Sequence, residues 1–175
     1  MTDPAGQPPG AVPSAAERAA LARIETIDEP ERLRNLIANA RRQGSSVVQR
    51  AAFARLCHVQ ADASPGTVEH DVWQSIHALE EMLREERGKT IRLSRTRQKI
   101  ARDGEAKTVA DLTLKPDPAQ GFKDLIDLGH PELSFEAVVL RHPKDFEDDV
   151  IEAARARFIA LGVDPDMFMK DAKGD

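Results

Sequence analysis

A chain of 175 residues with 30 acids, 25 bases and a net charge of −5 is long enough to bury a real core. Six Phe, one Trp and no Tyr disfavour sheet, and the single Cys57 can form no internal disulfide and has no zinc-ligand companion. No apolar run approaches the ~18 residues that cross a bilayer, and the N-terminus lacks a signal peptide's basic and then apolar order. The expectation is a cytoplasmic protein of bacterial type with no membrane partner.

Residues 1–13, MTDPAGQPPGAVP, hold four Pro and two Gly and little to bury, which predicts a disordered tail. Ser14 suits the N-cap of an Ala-rich helix ending near Ile27. Asp28 and Pro30 open a second, on which Leu33, Leu36, Ile37 and Ala40 follow helical spacing until Gly44 stops it. A third runs from Ser46 to about Ala61 and is followed by the turn Ser64-Pro65-Gly66. The longest spans Thr67 to Gly88, with Val72, Ile76, Leu79 and Leu83 on one face and Trp73 beside them.

Beyond it, Gly104 ends a short helix and Thr108 can cap another that reaches Leu114. Lys115-Pro116-Asp117-Pro118 forces a break, and Asp117-Pro118 starts a helix that carries Phe122, Leu125 and Ile126 to Gly129. Ser134 can cap Phe135 to Arg141, where the apolar run 135–140 fits either a helix or a buried strand. The last helix, about Glu147 to Leu161, is closed by Gly162 ahead of a polar end at 166–175. The expected class is therefore all-α: an irregular bundle of about seven to nine helices in a single domain over 14–165, because caps and periodic segments recur at every break.

Charge is distributed unevenly along this chain. From Arg87 to Arg102 there are seven cations and no acid, so this stretch is +7 and, with the chain at −5, the remainder is −12. On a helix, Arg95, Lys99 and Arg102 fall within about 80° of Arg92, while Leu93 and Ile100 fall together on another face. One face can then dock while the other presents cations, with Arg87 and Lys89 on the preceding loop. Ser94 is a plausible N-cap, and Arg97, near the apolar border, is placed to meet an acid or to snorkel. The wider segment 87–115 nearly has helix-turn-helix spacing through Ile100, Gly104, Val109 and Leu112, but its second helix offers only Asp111 and Thr113 to base edges.

Other motifs carry less. Gly88-Lys89-Thr90 lacks the earlier Gly and the preceding strand of a phosphate-binding loop. His70, His77 and Glu81 line one helix without the convergent ligands of a metal centre. Cys57 and His58 are adjacent and point about 100° apart on a helix, so they cannot act as nucleophile and base together. His130 and His142 each precede a Pro and read as turn residues. No catalytic residue, metal site or cofactor is assigned.

The function expected from the sequence is that of a non-enzymatic helical protein, an accessory or regulatory factor, that contacts the phosphates of DNA or RNA through Arg87, Lys89, Arg92, Arg95, Lys99 and Arg102. The alternative is a protein-interaction or homo-oligomerisation module in which the same cations meet an acidic protein surface. The acids of the remainder, notably Glu80, Glu81, Glu147, Asp148 and Asp149, could pair with the cations internally or across a dimer.

Overall fold

Nine α-helices and three short 3₁₀ turns, with no strand, make up the regular structure of residues 12–169, the part of the chain that the computed structural model describes. The helices are α1 (Ala15–Ile24), α2 (Pro30–Arg42), α3 (Ser46–Gln60), α4 (Val68–Arg87), α5 (Ser94–Asp103), α6 (Glu105–Thr113), α7 (Gln120–Asp127), α8 (Phe135–Arg141) and α9 (Asp148–Ala160). The fold is all-α, as composition and spacing imply. Residues 1–11 of the expected tail and 170–175 of the expected polar end lie outside the described residues. Where the sequence reading drew one domain, the chain divides into two compact units, Met1–Ala61 and Asp62–Asp175.

In the first unit, α1 to α3 close on Ile24, Leu33, Ile37, Val48, Ala52 and Leu56. Ser14 caps α1 in a full capping box: its hydroxyl accepts from the Glu17 N–H, while the Glu17 carboxylate accepts from the Ser14 N–H. The other Glu17 oxygen accepts from the hydroxyl of Ser45, itself the N-cap of α3, at 2.6 Å. One carboxylate thereby fixes two helix starts. The Ser45 hydroxyl, together with the Ser14 N–H, holds the Glu17 pKa below its ordinary value. α1 stops at Ile24 rather than near Ile27, because the amides of Thr26 and Ile27 turn back onto the carbonyls of Arg23 and Ile24. Ile27 still joins the core, 5% exposed.

The second unit is built around α8. Glu136 through Leu140 are all buried, enclosed by α4, α6, α9 and the flanking turns. A helix covered on every side needs no amphipathic stripe, which is why its apolar run carries no period. Ser134 caps it, its hydroxyl accepting from the Ala137 N–H at 3.2 Å. Around α8 lie Val72 and Ile76 of α4, Val109 of α6, Phe122 of α7, and Ala154 and Phe158 of α9. α7 begins at Gln120 behind an extended Ala119, two residues later than the Asp117-Pro118 start expected.

The polar end expected from residue 166 needs correction. Pro165–Phe168 forms a 3₁₀ turn, and Phe168 is 6% exposed, with its ring stacked on that of Phe158 at 4.6 Å between centroids. The ring brings the largest apolar area of this turn into the core, and the Asp164 side chain, accepting from the Asp166 N–H, helps to hold the turn. Replacing Phe168→Ala should therefore lower unfolding stability by about 3 kcal/mol, read as a drop in the urea midpoint. A loss below about 1 kcal/mol would mean that the turn does not hold its place in the core.

Candidate functional site

The basic segment leaves α4 at Gly88, whose φ of 66° lets the helix end in a left-handed cap, and crosses a loop into α5. Its path is set by one acid. Glu80 of α4 accepts from the Leu93 N–H at 2.8 Å and from the Nε and Nη2 of Arg97, each at 2.7 Å. Arg97 also lies 5.0 Å over the Trp73 ring, and the Trp73 N–H donates to Glu105 at 3.1 Å. Burial pushes the Glu80 carboxyl upward, but the Arg97 hydrogen bonds and the Leu93 amide prevail and hold its pKa below the ordinary value.

The expected N-cap Ser94 is instead the first residue of α5, and the cap position belongs to Leu93, whose amide Glu80 has taken. Arg92 consequently precedes the helix. Behind α5 the chain makes no loop: Gly104 alone joins α5 to α6, with φ 87° and ψ 166°, a conformation open only to glycine. Thr108, expected as a cap, lies one turn inside α6 and is fully buried. Asp111 is ion-paired and Thr113 is 1% exposed, so neither of the groups expected to face bases stands free on α6.

The six expected contact residues separate into two groups. Lys99 is held between Asp103 at 2.7 Å and Asp111 at 2.6 Å, and Arg102 bonds both oxygens of Asp103, at 2.9 and 3.1 Å. The hydrogen bonds from Arg102 and Lys99 depress the Asp103 pKa far below the carboxylate range, and those from Lys99 and Lys107 lower that of Asp111. These two cations are largely neutralised in place. Arg87, Lys89, Arg92 and Arg95 are all exposed and form no ion pair among the described residues. They run from the last residue of α4 to the first turn of α5.

The neutralising acids were only partly legible. Lys99 and Asp103 stand at i, i+4, as do Lys107 and Asp111, a spacing that pairs opposite charges on a helix. The Lys99–Asp111 and Glu80–Arg97 contacts depend on how the helices fold back, which no local spacing encodes.

A second polar cluster lies at the start of α4. Asp71 accepts from the Arg141 Nε at 3.0 Å and meets the His142 Nε2 at 2.7 Å, while Arg141 also donates to the Glu132 carbonyl at 2.7 Å. Burial raises the Asp71 pKa, but Arg141 and His142 outweigh it, leaving the group below its ordinary value. The cluster joins residues about 70 apart and ties α4 to the end of α8. His70 sits buried beside Asp71, and His77 leans on Trp73 with 6.4 Å between ring centroids. Burial holds the His77 pKa below its ordinary value despite nearby Glu80. Cys57 is fully buried, as expected of a small core residue.

No protein-family model, curated protein or solved structure matches the chain.

Glu80 titrates lower in the fold than in the unfolded chain, so its stabilising contribution is complete above the ordinary value of 4.5 and is lost as pH falls through the lower folded value. Glu80→Gln should cost about 1.5–3 kcal/mol at pH 7, because Arg97 loses its charged partner. The difference between variant and wild type should shrink as pH falls from 5 to 3. Urea titrations across that range check it; a gap that stays constant with pH would show that Glu80 contributes shape rather than charge.

Proposed function

We propose that the protein contacts nucleic-acid phosphates through the exposed cations between Arg87 and Arg95. The observation that carries this reading is the separation of the basic run into cations that already have acids and four that do not. Arg87, Lys89, Arg92 and Arg95 are exposed on a loop and the adjoining helix turn, while Glu80 braces that loop from behind at the Leu93 amide. Phosphate contacts need charge placed at a surface, not base-reading side chains, and α6 has none to offer. The acidic remainder of the chain, with a pI near 5.6, repels phosphate elsewhere and makes the interaction weak and sensitive to salt.

A second reading is favoured by Glu147, Asp148 and Asp149, exposed at the start of α9 and without an ion pair among the described residues. Such a run on a second copy, or on another acidic protein, would suit the same four cations.

With four cations engaged, the logarithm of affinity for arbitrary duplex DNA should fall against the logarithm of salt with a slope of about −3.6. Changing Arg87, Lys89, Arg92 and Arg95 together to Gln should abolish the electrophoretic shift and leave the melting temperature in place. Changing Lys99 and Arg102 to Gln should alter the slope little but lower stability, since Asp103 and Asp111 lose partners. Equal loss of binding from both sets would contradict this division. A wild type that shifts neither DNA nor RNA, with a quadruple variant that moves from dimer to monomer on a sizing column, would favour the acidic protein surface.

A further inference from the structure

A cavity of about 350 Å³ opens within the second unit, bounded by the C-terminal half of α4, the end of the basic loop, the last turn of α6, α7 and the start of α8. Its walls are Leu79, Met82, Leu83, Leu93, Leu112 and Phe135, each half-buried, so the core leaves the apolar surface of all six incompletely covered around one space. Scattered apolar exposure is ordinary, whereas convergence on an enclosed volume is how small-molecule sites are made. Water against these six apolar side chains finds no hydrogen-bond partner, and the polar partners it needs lie only along the rest of the lining.

The polar groups that line the cavity are few, and their chemistry is specific. Glu136, 3% exposed, gives one carboxylate oxygen to Arg157 at 2.6 Å, and Arg157 spends further N–H groups on the carbonyls of Lys115 at 2.7 Å and Leu112 at 3.4 Å. Thr113, also lining the cavity and 1% exposed, has a hydroxyl with no hydrogen-bond partner. Buried polar groups left in this condition are uncommon in native proteins. Glu136 and Arg157 compensate each other, so a charged ligand would bring an unmatched charge beside an already matched buried pair; Asp124, the other acid on the lining, is half-buried and accepts from Gln120 at 2.8 Å.

We propose that this cavity binds a small uncharged molecule with an apolar body and one hydroxyl, the body lying against the leucines and Phe135 and the hydroxyl pairing with that of Thr113. The volume accommodates roughly ten to fifteen non-hydrogen atoms. This site is independent of phosphate binding, and its tests do not involve the basic residues.

The neutral fluorescent probe 1-aminoanthracene, titrated against the full chain, should brighten with a stoichiometry of one. Octan-1-ol should displace it at concentrations at least about tenfold lower than octanoate or octylamine, consistent with the cost of burying a ligand charge. Ala119→Trp, at an exposed residue lining the cavity, should weaken the probe about tenfold or more while leaving the helical circular dichroism unchanged. Thr113→Val should weaken octan-1-ol several-fold and the probe little. On the wild type, octan-1-ol should shift the methyl resonances of Leu79, Leu83, Leu93 and Leu112 ahead of those in the first unit, a readout that needs no variant. Absence of probe binding, equal competition by the charged octyl compounds, or methyl shifts confined to other leucines would each overturn the proposal.

Discussion

The Glu80 carboxylate accepts three hydrogen bonds, one from a loop amide and two from a guanidinium, and the surface of the second unit is arranged around that demand. A buried acid must be matched or its burial becomes costly, and a loop amide at a helix start must also find an acceptor. Both requirements are met by the same group. With the Leu93 amide fixed, α5 can begin only at Ser94, and with Arg97 drawn inward over Trp73, the cations on either side of it are directed away from the core. Exposure of Arg92 and Arg95 thus follows from an acid that neither of them touches.

Charge pairing here removes as much as it creates. A run of seven cations counted along the chain becomes, in the fold, three cations paired with acids and four that are not. The paired ones lie on α5 itself, where Glu80 reaches Arg97 and Asp103 and Asp111 reach the other two, and the unpaired ones lie on the loop and first turn, where no acid of the described chain does. Net charge along a sequence therefore overstates the field at the surface, since exposed pairs cancel at short range and salt screens the remainder within about 8 Å.

Much of the architecture could be read from local signals because local physics sets it. The Ser14 capping box, Pro30 at the first position of α2 and the i, i+3, i+4 stripe of Leu33, Ile37 and Ala40 each express a constraint confined to one turn of helix. The run at 135–140 could not be resolved in this way, since a segment buried on all sides loses the contrast on which periodicity rests. Phe168 was invisible for the opposite reason: one aromatic has no period at all. Thr108 resembled a cap because Gly104 looked like the end of a helix followed by a loop, whereas its backbone angles turn the chain within one residue. Of the basic residues, the spacing of Lys99 and Asp103 was legible and the Asp111 partner was not. The Asp71 cluster, joining side chains about 70 positions apart, leaves no trace in any window of sequence.

The contacts that shape the basic loop differ from that cluster in how far along the chain they reach. Glu80 to Leu93 closes 13 residues, Lys99 to Asp111 closes 12, and Trp73 to Glu105 closes 32, whereas Asp71 to Arg141 closes 70. Loop closure over a dozen residues takes on the order of 10–100 ns and costs less entropy than a closure several times longer. The loop and its two flanking helices thus need only their own stretch of chain to find their geometry. Those short closures can form ahead of the long-range join between α4 and α8.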